Sequence, residues 1–250
     1  MAVPPRIEPP SRQAPRVVAL VPAAGLGLRM GGTVRKQYRS LGGVPLVVHS
    51  LRTLQSSPLI DTIVLAVPLP DIDYARSDVV ERHRIAKVSN IVAGGGERQD
   101  SVRNALSMVE KSVEIVVVHD AVRPFLTETM LVDVIAAARK TGAAIVALPM
   151  RDTVKQVRGD YIIEQTIDRR PLWLAQTPQA FRRDWLQEAH QKAYDERVVA
   201  TDDAYLVERL GHPVSVVEGT GENIKVTRPE DMILANAIHE ARQITAERGY

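Results

Sequence analysis

Between Val18 and Tyr38 an apolar run gives way to small residues, Ala23, Ala24, Gly25 and Gly27, and then to two cations, Arg29 and Lys36. Small residues at the end of a buried strand let backbone come close to a ligand. Successive backbone N–H groups in such a loop make a concave anion site. With two cations beside it, the site suits a polyphosphate. It is neither of the common phosphate motifs. Met30 stands where the dinucleotide fingerprint needs its third glycine, and no G-x-x-x-x-G-K-[ST] occurs. A tight strand-to-helix turn with two exposed basic residues would show the same spacing; the paired cations favour phosphate.

Three further stretches carry chemistry. Gly94-Gly95-Gly96 precedes Ser101, so a flat base could pack on bare main chain with Ser101 at its edge; a flexible turn before a capped helix is the plainer reading. His119-Asp120-Ala121-Val122-Arg123 places a carboxylate just after a buried run. That is a usual position for a Mg²⁺ ligand beside nucleotide phosphates, and also for a cap. His119 reads as structural, because the six histidines lack metal spacing and Asp120 suits a hard cation better. Arg123 could bind an acidic substrate or pair with Asp120. Lys225 offers another phosphate contact or a solvated charge. No Ser-His-Asp set and no carboxylate pair stands out for acid–base work. A site rich in cations and poor in acid–base groups suits phosphoryl or nucleotidyl transfer, where positioning and charge stabilisation do most of the work.

Alternating elements must hold these groups. Strands are expected at Val17–Val21, Thr62–Val67, Ser89–Ala93, Glu114–Val118 and Ala143–Leu148. Helices are expected at Pro45–Leu54, Ile72–Arg84, across Val102–Val109, and after a Thr127 cap. This alternation predicts an α/β fold, a mostly parallel sheet with helices on both faces. Ligands then bind beyond the carboxyl ends of the strands, where all three glycine and aspartate stretches fall. Past residue 150 the pattern changes. Arg151–Gln165 is polar and β-leaning with a turn at Gly159-Asp160, a hairpin too polar to be stable alone. Helices follow at Leu186–Tyr194 and Asp203–Leu210, the second capped by Thr201. A strand at Pro213–Val217 precedes a capping box, Thr227-Arg-Pro229-Glu230, that opens a helix to about residue 243.

The bulk numbers narrow the class. The chain has 250 residues, 32 basic and 30 acidic, with net charge +2 and no cysteine. No long basic block points to nucleic acid. Disulfides and thiolate chemistry are excluded, which fits a reducing cytosol. No apolar run is long enough to span a membrane, and the N-terminus has no signal-peptide core. Residues 1–15, with five prolines, read as a disordered tail, leaving 16–250 as one domain with an arm over about 150–172.

Taken together, the motifs resemble the 2-C-methyl-D-erythritol 4-phosphate cytidylyltransferase family of the non-mevalonate isoprenoid pathway, from about residue 16 to 243. The carriers are Pro22-Ala-Ala-Gly25-x-Gly27-x-Arg29-Met30, Lys36-Gln37-Tyr38, Gly95-x-Glu97-Arg98-x-Asp100-Ser101-Val102, Val118-His119-Asp120-Ala121-x-Arg123-Pro124, Arg151-Asp152-Thr153, Asp168-Arg169-x-x-Leu172-Trp173, Thr177-Pro178-Gln179, Thr201-Asp202 and Asn223-Ile224-Lys225-Val226-Thr227-Arg228-Pro229-Glu230-Asp231. The resemblance implies a Rossmann-like fold with a protruding β-hairpin arm, and a bacterial, cytoplasmic enzyme that uses CTP and Mg²⁺. It implies catalytic roles for Arg29, Lys36 and Lys225. Nucleotide contacts would come from Ala23, Ala24, Gly25, Gly27, Gly95, Gly96, Ser101, Asp120 and Ala121, with Asp120 also the metal ligand. Arg123, Thr153 and Arg169 would bind the sugar phosphate, the last two across a homodimer formed through the arm.

Three positions depart from the family pattern. Arg35 stands where proline usually precedes the loop lysine, Gly96 where aspartate is common, and Arg170-Pro171 interrupts the arm string. A ribitol-5-phosphate cytidylyltransferase and a catalytically silent nucleotide-binding homologue are the alternatives. The chain ends about where this one domain does, so a fusion to a second pathway enzyme is not expected.

Overall fold

The computed structural model describes residues 16–25 and 34–247. The Pro-rich stretch 1–15 and the loop residues Gly27 and Arg29 lie outside them. In chain order the elements are β1 (Arg16–Pro22), a 3-10 turn (Lys36–Tyr38), β2 (Ser40–Leu41), β3 (Val44–Pro45), α1 (Leu46–Ser56) and β4 (Thr62–Val67). Next come α2 (Ile72–Tyr74), continuing as π-helical turns to Glu81, then β5 (Val88–Ala93), α3 (Arg98–Leu106), β6 (Val113–Val118), α4 (Glu128–Thr141) and β7 (Ala143–Pro149). The remainder is β8 (Val154–Val157), β9 (Ile163–Ile167), β10 (Trp173–Arg182), α5 (Arg183–Asp195), α6 (Asp203–Glu208), β11 (Ser215–Glu218) and α7 (Pro229–Glu247).

A seven-stranded sheet runs in the order β11-β7-β10-β6-β1-β4-β5. It is parallel except at β10, which pairs antiparallel with both β6 and β7. The α/β, mostly parallel architecture expected from the alternation is therefore present. β1 shows why it forms. Its side chains are buried on both faces, as a central parallel strand demands. Val17, Ala19 and Val21 pack with α1 and α4, and Val18 and Leu20 with α3, α5 and α6. Removing one such side chain, as in Leu20→Ala, costs ~2–5 kcal/mol through lost transfer energy and the cavity left behind.

Several boundaries differ from expectation for local reasons. No strand was expected at 173–182; the structure has one, β10, with Pro178 inside it, which conflicts with the ladder's need for an N–H. The structure resolves the conflict with a bulge: the β7 ladder breaks between Ala175 and Gln179, so Pro178 owes no ladder bond. Asp202, not Thr201, caps α6, its carboxylate accepting from Tyr205 N–H at 3.0 Å. At α7 it is Asp231, not Glu230, that reaches back, accepting from the N–H groups of Thr227 and Arg228. Thr127 caps α4 as expected. The β8–β9 hairpin is the expected arm; it rises between β7 and β10 and pairs only with itself.

Candidate active site

The carboxyl ends of β1, β5 and β6 and the segment before α7 surround a cavity of about 510 Å³. β1 delivers Ala23, Ala24 and Gly25 to its wall. Lys36 closes that side: a Cβ on Gly25 would lie 3.5 Å from both Cε and Nζ of Lys36, so the ammonium rests over bare main chain. β5 delivers Gly95, Gly96 and, from α3, Ser101. Gly94 has to be glycine, since its Cβ would fall 2.1 Å from that of Ala24. The Ser101 hydroxyl is spent within this loop, accepting from Gly95 N–H and donating to Glu97 O, both at 3.2 Å.

β6 delivers Asp120 and Ala121, and the segment before α7 delivers Lys225. The Asp120 carboxylate is buried and gripped from two sides. Arg98 Nε donates to Oδ1 at 2.8 Å, and Lys225 Nζ lies 2.7 Å from Oδ2. Burial alone would raise its pKa. Arg98 and then Lys225 override that and hold it far below the usual carboxylate range. Behind Arg98 stands a second buried carboxylate, Asp203, at 2.7 Å from Nη1. Asp203 is braced in turn by His190 Nε2 at 2.9 Å. Against the cost of burial, Arg98 and His190 bring Asp203 down to about 2. Arg98 Nη2 is buried without a partner among the described residues.

A smaller cavity of about 200 Å³ lies beside the first, lined by Arg123, Gln176, Thr177, Thr201 and Asp202. Arg98, Asp120 and Lys225 line both cavities. Thr177 ties the shared wall to β10: its hydroxyl accepts from Asp120 N–H at 3.0 Å and donates to His119 Nδ1 at 3.2 Å. His119 Nε2–H donates to Arg123 O at 3.1 Å, so its partners define a neutral tautomer. Arg123 Nη1 donates to Asn223 O at 2.6 Å, while its Nε stays 3.9 Å from Asp120 Oδ2. A chain of paired side chains, Lys225, Asp120, Arg98, Asp203 and His190, thus runs beneath two adjoining clefts.

A sequence profile described as 2-C-methyl-D-erythritol 4-phosphate cytidylyltransferase matches residues 17–241. The chain belongs to that family. A cytidylyltransferase of that name from Syntrophus aciditrophicus (strain SB) is 54% identical over 223 residues, covering 89% of this chain and 95% of the relative. One from Geobacter metallireducens is 50% identical over 224 residues, covering 88% and 96%. Among solved structures, the 4-diphosphocytidyl-2C-methyl-D-erythritol synthase of Anaerococcus prevotii superposes with TM-score 0.80 at 33% identity, covering 90% of this chain and 96% of that one.

Set against the family's expected residues, the fold brings Ala23, Ala24, Gly25, Lys36, Gly95, Gly96, Ser101, Asp120, Ala121 and Lys225 to one cavity, and Arg123 to its neighbour. Thr153 and Arg169 line neither cavity. Both are exposed in the arm region, where Arg169 Nη1 donates to Arg151 O. Sequence reasoning gave no site role to Arg98, Thr177 or Asp203. Their signal was indirect: a buried aspartate after a strand requires a buried counter-charge.

Proposed function

We propose that the chain transfers the cytidylyl group of CTP to the phosphate of 2-C-methyl-D-erythritol 4-phosphate and releases pyrophosphate. The observation that carries this reading is the pair of adjoining cavities that share Lys225, Asp120 and Arg98. The larger, glycine-walled one suits a nucleoside triphosphate. The smaller, with Arg123, suits a phosphorylated polyol. Their shared wall is where the two would react.

A phosphate monoester carries about −1.5 to −2 charge near neutral pH, so no general base is required. One of its oxygens forms the new bond to the α-phosphorus. The bond from that phosphorus to the β-bridging oxygen breaks, and its electron pair leaves with pyrophosphate. Lys36, over Gly25, meets the charge on the triphosphate. Lys225 meets the charge that builds on the α-phosphoryl oxygens. Arg29 is assigned to the same triphosphate. Ala23, Ala24, Gly25, Gly95 and Gly96, which line the larger cavity, present main chain to the nucleotide; Gly27 is assigned to it by the family resemblance alone. Ser101 acts by shaping the base loop, since its hydroxyl is already committed there.

Asp120 fits a Mg²⁺ ligand. Its pKa is held far below the usual carboxylate range and it lines both cavities; it is a single carboxylate, with no group of three or more His, Cys, Asp or Glu placed to hold a metal among the described residues. Mg²⁺ beside phosphates commonly takes one or two carboxylates and completes its shell with phosphate oxygens and water. Bound there, it would neutralise phosphate charge.

We place Thr153 and Arg169 in the partner's site of a homodimer formed through the arm. The arm leaves Tyr161, Ile162 and Ile163 exposed, and Trp173 is exposed where β10 begins beside it, which favours a second copy packing there. A monomer by light scattering at assay concentration would overturn this part. No helix among the described residues is long and apolar enough to cross a membrane; with the absence of cysteine, this supports a cytoplasmic location. The deciding assay is pyrophosphate release from CTP and Mg²⁺ with methylerythritol phosphate, ribitol 5-phosphate or no acceptor. Release with the first alone is expected. Release with ribitol 5-phosphate alone would replace the substrate, and binding without release would mark a silent homologue.

A further inference from the structure

Arg35 directly precedes Lys36, and its side chain turns to the sheet. Its Nε lies 2.8 Å from Asp71 Oδ2, in a pair whose side chains are 30% and 16% exposed. Asp71 ends the short 3-10 turn Leu69–Asp71 just after β4, the strand beside β1. Tyr38, two residues beyond Lys36, stands at the same carboxylate. Burial and then Asp71 raise its hydroxyl above the ordinary tyrosine range, and its ring meets Tyr74 edge-on at 4.9 Å between centroids. Lys36 therefore sits between two residues that share one anchor. It is also the first residue of its own 3-10 turn, Lys36–Tyr38.

The backbone at Arg35 has φ −61° and ψ 144°. A proline ring enforces that φ. An arginine is free to leave it, and rotation at residue 35 would swing Lys36 away from Gly25. We propose that the Arg35–Asp71 ion pair is the positioning device for Lys36, holding by charge the conformation that a proline at 35 would hold by its ring. The inference rests on the assignment of Lys36 to the triphosphate. Arg35 is then a positioning residue, and Asp71 its anchor.

The test is a set of variants read by steady-state kinetics and by calorimetric CTP binding. Misplacing a catalytic group by about 1 Å can cost up to ~10²-fold in rate, so Arg35→Ala and Asp71→Asn should each lower kcat roughly tenfold. Arg35→Pro should recover most of what Arg35→Ala loses. In the Arg35→Pro background, Asp71→Asn should add little, because the ring has replaced the pair. In a Lys36→Ala background, Asp71→Asn should add nothing, and this cycle decides the matter if the proline variant does not fold. A silent Lys36→Ala would remove the role of Lys36 itself. A damaging Lys36→Ala with a silent Asp71→Asn, or a proline variant that folds but is as slow as the alanine one, would overturn the positioning device alone. Loss of CTP affinity in Arg35→Ala but not in Asp71→Asn would also overturn it, by placing the guanidinium on the nucleotide.

Discussion

Lys225 Nζ lies 2.7 Å from Asp120 Oδ2, so the cation assigned to the reacting phosphate is already paired before any substrate arrives. Pairing fixes where the ammonium waits. It also helps hold the Asp120 carboxyl far below the usual carboxylate range. Lys225→Ala should therefore lower turnover by roughly 10²–10³ while CTP affinity falls less, with single-turnover kinetics and calorimetry as the two readings. Near-normal turnover would rule out the assigned role.

Lys36→Ala should show a similar loss of rate through a different contact, the ammonium over Gly25. Because Lys36 and Lys225 line the cavity from separate elements, each single variant should remain folded by circular dichroism. If Lys36→Ala changed only the KM for CTP and left kcat intact, Lys36 would be a ground-state binder.

Arg98 joins two buried carboxylates, so its removal should act first on stability. Arg98→Met leaves Asp120 and Asp203 facing each other without the guanidinium. Breaking a buried charge pair in this way typically costs ~3–5 kcal/mol, measurable as a lower urea midpoint at unchanged slope. A loss below about 1 kcal/mol would mean that solvent reaches the carboxylates as readily as at a surface.

His119 should give stability a specific pH dependence. Burial lowers its pKa to about 4, and Thr177 already donates to the nitrogen a proton would occupy. Above about pH 6.5 both folded and unfolded chains carry it neutral. Below that, the unfolded chain takes up a proton that the folded chain refuses, so stability falls with pH until the folded group titrates near 4. The loss from this group totals about 3 kcal/mol. Denaturant midpoints taken across that range should show the slope in the native chain and lose it in His119→Gln. An unchanged slope in that variant would place the acid sensitivity elsewhere.

The arm assignment allows a complementation test. Homodimers of Lys36→Ala and of Arg169→Ala should both be poor enzymes. Mixed after reversible dissociation, they should recover roughly a quarter of native activity, because half of the dimers become hybrids with one intact site. No recovery, with hybrids shown to form, would place Arg169 in its own subunit's site or in none.

Much of this was legible because the informative residues are small, charged and sit where strands end. Ala23–Gly25, Gly94–Gly96 and Asp120 point to a shared edge because each follows an apolar run read as a strand; Lys225, taken alone, read equally as a solvated charge. What the chain concealed depends on distant partners. Nothing local to Arg98 reveals that its two nitrogens meet Asp120 and Asp203 from different elements. β10 was not read from the sequence: a strand that holds Pro178 needs a break in its ladder, and that break lies in its pairing with the neighbouring strand β7. Two caps fell one residue off, at Asp202 and Asp231, where adjacent residues compete for the same N–H groups and side-chain reach decides. Ser101 was legible as a loop residue, but which way its hydroxyl would face was not.

The antiparallel placement of β10 bears on how the molecule is assembled. β7, the arm and β10 are one long hairpin, so they can zip together locally, whereas β1, β4, β5 and β6 form a separate parallel block. Within the sheet the two blocks join where β6 pairs with β10, and the bond from Asp120 N–H to Thr177 crosses that join. During synthesis the join cannot form until residues 173–182 have left the ribosome. Catalytic competence would then arrive late, once both β10 and the segment with Lys225 have emerged, and a nascent chain stalled before β10 would have the glycine walls of its cleft yet no second wall against which to bring an acceptor.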